Sequence, residues 1–303
     1  MNLVGRSVLA VTSRTSVRRI FSESVAGRRL SLRFVAGETI DDAAAAAEAL
    51  NEMGAQVSLD HLGEHVTDPR AAVAARDDYL GCVERIHESD LDANISVKLT
   101  QLGLGFDDDL AVESLDALAA RAADAGTTVT VDMEESQHVE KTVAAFETVQ
   151  ARFGNVGIAV QSYLYRTPAD LDRIVVHGGH VRLCKGAYAE PVEVAHQDRD
   201  RVDAAFDTLT RRLMATPGIT PAIATHDNDR IKLAKELAEN RARPWEFQML
   251  YGVRRNLQRS LLDEGHPVRV YVPYGTAWYP YLTRRMAERP ANVAFFLRAV
   301  VGK

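Results

Sequence analysis

The chain has 303 residues and a mass of 33.3 kDa, a size that suits two ordinary domains or one large α/β barrel. Hydrophobic residues make up 46% of the sequence and charged residues 26%, the balance of a globular protein with a sizeable buried core. This composition excludes a disordered or low-complexity chain. No stretch approaches the roughly 18 consecutive apolar residues that a membrane span requires.

The two cysteines, Cys82 and Cys184, lie far apart and match no metal-ligand spacing. No secretory signal with a cleavage site is recognisable ahead of them. We predict that both are buried thiols in a reducing compartment and that the protein is cytoplasmic.

Positive charge is concentrated at the N-terminus. Residues 1–33 contain seven arginines and one glutamate, a net charge of +6, so the remaining residues carry −12 to give the overall −6. Such a segment can pack its arginine stems against the acidic body, contact anionic lipid headgroups, or bind nucleic acid. We favour packing, followed by lipid contact. Nucleic acid comes last, because an acidic body repels the phosphates of nucleic acid. The segment also has the Arg-rich, Ser-rich composition of an organelle transit peptide.

The first predicted helix follows this leader. Thr39 is a suitable N-cap, Asp42 completes a capping box, and an alanine run leads to Gly54, where the helix is expected to end.

From residue 55 onward, short β-type runs alternate with longer helical runs. Strands that alternate with helices indicate βαβ units, and eight such units within about 250 residues favour a closed (βα)8 TIM barrel. We predict a basic helical extension over residues 1–36 and one barrel domain over residues 37–303. The predicted strands cover residues 55–61, 93–100, 127–133, 156–164, 180–186, 221–227, 245–250 and 268–275.

The predicted strand ends are polar, whereas buried parallel strands normally stay apolar to their ends. Because a barrel carries its active residues at the carboxyl ends of its strands, these positions mark a candidate site. In chain order the polar residues are Lys98, Asp132, Gln161, Arg182, Lys185, Thr225, His226, Gln248 and Tyr271.

Structural roles are also open to these residues. Lys98 can pair with an acid such as Asp132, Asp132 can cap the next helix, and the two glutamines can satisfy buried backbone groups. His226 has no second histidine at ligand spacing, so no metal site is predicted. No glycine motif for a dinucleotide or a nucleoside triphosphate is present, so Arg182, Lys185 and loop backbone would have to hold a phosphate-bearing cofactor.

The C-terminal run YLTRRMAER, residues 281–289, is predicted to be a helix. Tyr281, Arg284, Arg285 and Glu288 fall at the spacing of one helix face, where an apolar stripe is usual. Two adjacent guanidinium groups suit a carboxylate or phosphate ligand. A solvated face with an Arg284–Glu288 pair is the alternative.

Taken together, the motifs VKLTQLG, VDMEE, VQSYLY, RLCKGAY, ATHD, EFQMLYG and YVPYGTAWYPYLTRRMAE, preceded by FVAGET, resemble the proline dehydrogenase family. The match runs in order from about Phe34 to the C-terminus and is most similar to the single-function bacterial-type members. RLCKGAY and the tyrosine-plus-RRxxE pattern are the most specific parts. The resemblance implies a distorted (βα)8 barrel with its last helix over the strand ends, non-covalently bound FAD, and oxidation of L-proline to 1-pyrroline-5-carboxylate.

The resemblance also assigns roles to individual residues. The expected catalytic residues are Asp132, which would orient Lys98, and Arg182, near the reactive edge of the flavin. Cys184 stands where a branched aliphatic residue is expected. The expected substrate-binding residues are Lys98, Leu250, Tyr271, Tyr281, Arg284 and Arg285. The expected FAD-binding residues are Met133, Gln161, Arg182, Cys184, Lys185, Gly186, Ala187, Tyr188, Thr225, His226, Gln248 and Glu288.

Partners follow from the same resemblance. Hydride transfer from proline to flavin N5 leaves electrons that the family passes to a membrane quinone, so peripheral contact with the inner face of the cell membrane is expected. The chain is too short to include the aldehyde dehydrogenase half of bifunctional relatives, so a separate pyrroline-5-carboxylate dehydrogenase would act downstream. No nucleic-acid partner is expected.

Two other functions fit parts of the sequence. A Schiff-base lyase on the same barrel would use Lys98 or Lys185 as its nucleophile. A non-catalytic protein would bind nucleic acid through the basic leader, and a weak DNA affinity that vanishes with modest salt would leave only non-specific attraction.

Overall fold

Eight parallel strands close into a barrel in the order in which they occur along the chain. The computed structural model describes residues 31–288, with the backbone alone from residue 284 onward. The strands are β1 (Gln56–His61), β2 (Ala93–Val97), β3 (Val129–Val131), β4 (Val156–Gln161), β5 (Gly179–Cys184), β6 (Ile219–Ala224), β7 (Glu246–Leu250) and β8 (Val268–Tyr274). The helices are α1 (Ile40–Asn51), α2 (Pro69–Glu88), α3 (Asp108–Asp124), α4 (Val139–Phe153), α5 (Thr167–Ile174), α6 (Arg199–Ala215), α7 (Asn228–Ala238), α8 (Arg255–Asp263) and α9 (Trp278–Glu288).

The predicted (βα)8 barrel is therefore confirmed, and each predicted strand overlaps an observed one. The second strand is shorter than predicted because a 3₁₀ turn, Leu99–Gln101, begins directly after Lys98. Among the described residues, none of the helices combines the length and apolar character needed to span a bilayer. Most of the predicted basic extension lies outside the described residues.

Helix α1 shows the predicted capping box. Asp42 N–H donates to Thr39 Oγ1 at 3.1 Å, and Thr39 N–H donates to Asp42 Oδ2 at 3.0 Å. The helix ends at Asn51, and Gly54 follows with a φ of 83°, as expected for a glycine just beyond a helix.

Helix α1 also fills a gap in the barrel wall. It packs against both β8 and β1, the seam where the barrel closes. The last helix, α9, instead packs its buried Tyr281 and Leu282 with Leu62 and Val253, which lie in the loops after β1 and β7. The expected position of the last helix over the carboxyl strand ends is thus confirmed, and α1 occupies the wall position that α9 leaves.

The two faces of the barrel strands differ in chemistry. The residues that face the helices are apolar and buried, among them Val57, Leu59, Ile95, Val97, Val181, Leu183, Phe247 and Met249. Their neighbours along each strand face the barrel interior, since Arg182 of β5 donates hydrogen bonds to Ser96 of β2 and Gln248 of β7. A TIM barrel usually fills this space with branched apolar side chains. Here hydrogen-bonded polar side chains occupy it.

Glu246 forms the lower part of this interior network. Its carboxylate accepts hydrogen bonds from Arg269 Nε at 2.9 Å and Gln248 Nε2 at 2.6 Å, and it lies 3.0 Å from His180 Nε2. Burial alone would raise the pKa of Glu246, but the hydrogen bond with His180 and the charge of Arg269 outweigh it and hold the pKa well below its usual range. The carboxylate therefore stays charged across the neutral range.

This pKa makes the stability of the barrel depend on pH. A carboxyl group with a depressed pKa in the folded state stabilises above its unfolded pKa of about 4.3, and this contribution is lost as the pH falls further. We expect Glu246→Gln to lower the free energy of unfolding at pH 7 by about 2–3 kcal/mol and to reduce its fall below about pH 4.3. Urea unfolding across this pH range measures both effects. Glu52→Gln, at an exposed site, should change neither, and equal curves for the two variants would contradict the prediction.

The cysteines differ in burial. Cys82 lies fully buried in α2, where burial raises the pKa of its thiol to about 12. Cys184 is half-buried at the end of β5, and the two do not form a disulfide. The prediction of a buried thiol is confirmed for Cys82 and is wrong for Cys184, which is only half-buried.

Candidate active site

Polar side chains from different strands converge at the carboxyl end of the barrel. Lys98 and Asp132 directly follow β2 and β3, while Arg182 and Tyr271 lie in β5 and β8. Lys98, Arg182 and Tyr271 each donate a hydrogen bond to the carboxylate of Asp132. Strands that are far apart in sequence therefore meet at one carboxylate.

Asp132 is the centre of this cluster. Its carboxylate accepts hydrogen bonds from Ser96 Oγ at 2.8 Å, Tyr271 Oη at 2.7 Å, Lys98 Nζ at 3.3 Å and Arg182 Nη1. Burial alone would raise the pKa of Asp132, but the charges of Lys98 and Arg182 outweigh it and lower the pKa below its ordinary value. Asp132 is therefore a carboxylate that anchors two cations, and it is a poor proton acceptor.

The ammonium group of Lys98 has three partners. It donates to Asp60 Oδ1 at 2.9 Å and to Asp132 Oδ2 and Tyr271 Oη, both at 3.3 Å. Burial would lower the pKa of Lys98, but the two carboxylates outweigh it and raise the pKa. A protonated lysine is not a nucleophile, so this geometry argues against the Schiff-base lyase, which needs a neutral amine.

Arg182 retains one buried donor. Nη1 donates to Ser96 Oγ at 2.9 Å and to Asp132, and Nε donates to Gln248 Oε1. The guanidinium carbon lies 5.2 Å from the centroid of the Tyr271 ring. Nη2 is buried and has no hydrogen-bond acceptor among the residues that the structure describes. Because a buried donor normally has a partner, an acceptor atom of a bound cofactor fits this position.

Gln161 joins three loops beside this cluster. Its Nε2 donates to the Glu134 carbonyl at 2.8 Å, and its Oε1 accepts from Ala187 N–H at 3.3 Å. Gly186 has a φ of 127°, and a Cβ atom there would collide with the Tyr163 ring. The chain can make this turn against the ring only with glycine. Three predicted cofactor residues thus lie in one loop cluster.

The side chain of Lys185 contacts a second group of acidic residues rather than Asp132. Its Nζ donates to Asp203 of α6 and, at 2.9 Å, to Asp227 ahead of α7. Arg230 lies 3.5 Å from the same two carboxylates. The charge of Lys185 is already balanced by these acids, which argues against a nucleophilic role. Its role in holding a phosphate group stays a prediction.

The ends of β6 and β7 are connected through His226. Its Nε2 accepts a hydrogen bond from Leu250 N–H at 3.1 Å, and Thr225 Oγ1 accepts one from Asp227 N–H at 3.1 Å. Leu250 is half-buried. Of the remaining predicted residues, Met133 is buried, Cys184 and Tyr188 are half-buried, and Ala187 is exposed.

Helix α9 brings the last predicted residues to the same end of the barrel. Tyr281 is buried in the cluster with Leu62 described above. The side chains of Arg284, Arg285 and Glu288 lie outside the described residues, so their roles stay predictions.

The sequence patterns missed Asp60, Ser96 and Glu134. Asp60 follows the apolar part of β1, a polar strand end of the same kind as Lys98, so this signal was present. Ser96 lies inside a strand, and its contacts with Asp132 and Arg182 arise only when the barrel closes. Glu134 is fully buried and accepts hydrogen bonds from the amide and the hydroxyl of Thr100.

Comparison with known proteins identifies the family to which this chain is similar. The model of the proline dehydrogenase family matches residues 43–298. Proline dehydrogenase 1 of Bacillus subtilis subsp. natto is 38% identical over 301 residues, which cover 98% of this chain and 99% of the relative. Proline dehydrogenase of Deinococcus radiodurans is 36% identical over 310 residues, which cover 99% of this chain and 98% of that protein.

Two solved structures share the barrel. Proline utilization A (PutA) from Bdellovibrio bacteriovorus, inactivated by N-propargylglycine, superposes with a TM-score of 0.81 at 22% identity, over 86% of this chain and 33% of that chain. A PutA variant from Bradyrhizobium japonicum superposes with a TM-score of 0.76 at 27% identity, over 90% of this chain and 32% of that chain. This chain thus matches about a third of each. The near-full-length relatives are named for an oxidoreductase activity, and this chain belongs to the proline dehydrogenase family.

Proposed function

We propose that this protein oxidises L-proline to 1-pyrroline-5-carboxylate with non-covalently bound FAD and passes the electrons to a membrane quinone. The near-full-length match to proline dehydrogenases supports the substrate. The observation that supports FAD binding is the buried Nη2 donor of Arg182. This donor lacks an acceptor among the described residues and lies beside the Asp132 cluster. The boundary between a leader over residues 1–36 and a barrel over 37–303 is part of the proposal.

The residues that we propose to hold FAD come from the ends of strands β3 to β7 and from helix α9. Arg182 would donate from Nη2, and the loop around Gly186 would present backbone N–H groups. When bound, FAD supplies the electron sink for the hydride that leaves proline C5, which no amino-acid side chain provides. The other proposed cofactor contacts are Met133, Gln161, Cys184, Lys185, Ala187, Tyr188, Thr225, His226, Gln248 and Glu288.

The proposed substrate residues orient proline and set its charge state. Arg284 and Arg285 would bind the carboxylate in bidentate fashion, with Lys98 as a third cationic group. These charges disfavour a protonated amine close by, so they favour the neutral amine from which hydride loss proceeds. Tyr271, Tyr281 and Leu250 would enclose the ring. Asp132 keeps Lys98 and Arg182 in place and holds no proton itself.

The visible spectrum tests this proposal. We expect the purified protein to be yellow, to bleach on anaerobic addition of L-proline, and to regain its colour with a quinone. A colourless protein that gains nothing from added FAD would overturn the proposal. Arg284→Met should raise the proline concentration needed for half-bleaching at least about tenfold, or about 1.4 kcal/mol, while the yellow colour persists. The exposed Arg70→Met is the matched control.

The proposed acceptor implies peripheral contact with the inner face of the cell membrane. The basic residues 1–33 are the proposed contact, since they would be attracted to anionic headgroups. Co-sedimentation with anionic liposomes checks this step, because removal of residues 1–33 should reduce the bound fraction and an unchanged fraction would reject it. The downstream pyrroline-5-carboxylate dehydrogenase is proposed to be a separate protein, and no nucleic-acid partner is proposed.

A further inference from the structure

Two histidines and a carboxylate meet at the rim of the barrel mouth, outside the Asp132 cluster. His65 comes from the loop between β1 and α2, and Glu135 and His138 come from the connection between β3 and α4. His65 Nε2 lies 3.2 Å from Glu135 Oε1. A ring nitrogen of His138 completes a set of three potential ligand atoms that all lie within 4.8 Å of one another.

The backbone holds these side chains in place. Glu135 precedes a 3₁₀ turn, Ser136–His138, which places His138 one turn beyond it. The N–H and hydroxyl of Ser136 both donate to the Glu190 carboxylate, at 2.6 and 2.5 Å. His65 N–H donates to Thr100 Oγ1 at 3.1 Å. Both loops that carry the set are therefore fixed by contacts of their own.

The contact between His65 and Glu135 does not account for the whole arrangement. It engages one carboxylate oxygen, Oε1, and does not involve His138, whose Nε2 lies 3.2 Å from the exposed amide nitrogen of Gln137. The other oxygen, Glu135 Oε2, is buried and has no hydrogen-bond donor among the described residues. A buried carboxylate oxygen normally has a partner, and a cation between the three side chains would provide one.

The ligand types indicate the class of cation. Calcium and magnesium prefer sets made of oxygen atoms, whereas two imidazoles and one carboxylate suit zinc and its neighbours in the transition series. We propose that His65, Glu135 and His138 bind one divalent transition-metal ion, such as Zn²⁺, in a three-ligand site with an open fourth position. Zinc ligands lie about 2.0–2.2 Å from the metal, which places tetrahedral ligand atoms roughly 3.4 Å apart. His65 and Glu135 already have this spacing, and the third ligand atom lies within 4.8 Å of both, so binding would require only a small rearrangement.

A bound metal would join the β1 loop to the β3 loop across the turn that follows Lys98. Thr100 in this turn accepts hydrogen bonds from the amides of both His65 and Val66. The carboxylate of Glu134, next to Glu135, accepts from Thr100 on the other side. The metal would therefore reinforce contacts that already surround this turn, and ligand binding to the folded state would raise its melting temperature.

Cobalt binding to protein without an affinity tag tests the proposal, because Co²⁺ absorbs visibly in a zinc-type site. We expect one Co²⁺ per chain, displacement by Zn²⁺, and at least tenfold weaker binding in His65→Ala and His138→Ala. Glu135→Gln, which keeps the shape of the side chain, should also weaken binding. His87→Ala removes an exposed histidine of α2 and should bind like the parent. Thermal melts without metal check that each variant is folded. Equal affinity in the parent and the three ligand variants would overturn the proposal.

Discussion

Replacing Asp132 with alanine should reduce proline-dependent turnover by at least about a hundredfold, because displaced catalytic groups lose that much rate. The same change should lower the free energy of unfolding by about 3–5 kcal/mol, since it leaves two buried cations without their shared partner. Lys98 and Arg182 both donate to this carboxylate, and Ser96 and Tyr271 complete its contacts. Proline-dependent dye reduction and urea unfolding measure the two effects.

The control is Asp41→Ala. Asp41 pairs with Arg85 at 3.2 Å on the surface, where an ion pair contributes little. Asp132→Asn separates shape from charge, because it preserves the volume and one acceptor oxygen. We expect Asp132→Asn to recover part of the stability and little of the activity. Full activity in the asparagine variant would show that the charge of Asp132 is not what positions Lys98 and Arg182.

Lys98→Met should also lower the free energy of unfolding by about 3–5 kcal/mol, because it leaves the buried carboxylate of Asp60 without its cationic partner. The Asp60 side chain is only 1% exposed, and Lys98 Nζ lies 2.9 Å from it. Adding Asp60→Asn removes the stranded charge, so the double variant should be more stable than Lys98→Met alone. We expect a coupling energy of about 2 kcal/mol from this double-mutant cycle.

The matched cycle uses Arg85 and Asp41, a pair at similar distance whose side chains are 37% and 76% exposed. Its coupling energy should stay below about 1 kcal/mol. Urea unfolding of all variants at one pH gives both cycles. Additive losses for Lys98 and Asp60 would contradict a direct interaction between them and would shift the role of Lys98 toward Asp132.

The barrel could be predicted from sequence because its signals are local. Alternating strand and helix patterns, the capping box of Thr39 with Asp42, and glycines after helices all act within a few residues. The polar strand ends indicated the mouth of the barrel, where Lys98, Asp132 and Tyr271 do meet. The family resemblance then supplied roles that no pattern could assign.

What could not be predicted depends on closure of the barrel. Ser96 meets Arg182 across 86 positions of sequence, and His65 meets Glu135 across 70, so spacing along the chain carries no trace of either contact. The polar filling of the barrel was likewise not anticipated, because only the strand ends were compared. Helix α1 was predicted correctly as a helix, yet its place between β8 and β1 follows from the displacement of α9.

That placement of α1 assigns closure of the barrel wall and coverage of its mouth to two different helices, α1 and α9. Since α1 closes the seam, the wall is complete before the chain reaches α9. Substitutions in α9, which packs on the loops at the mouth, are therefore expected to leave the contacts that close the wall in place. The helix that closes the wall and the helix that covers the mouth lie at opposite ends of the described part of the chain.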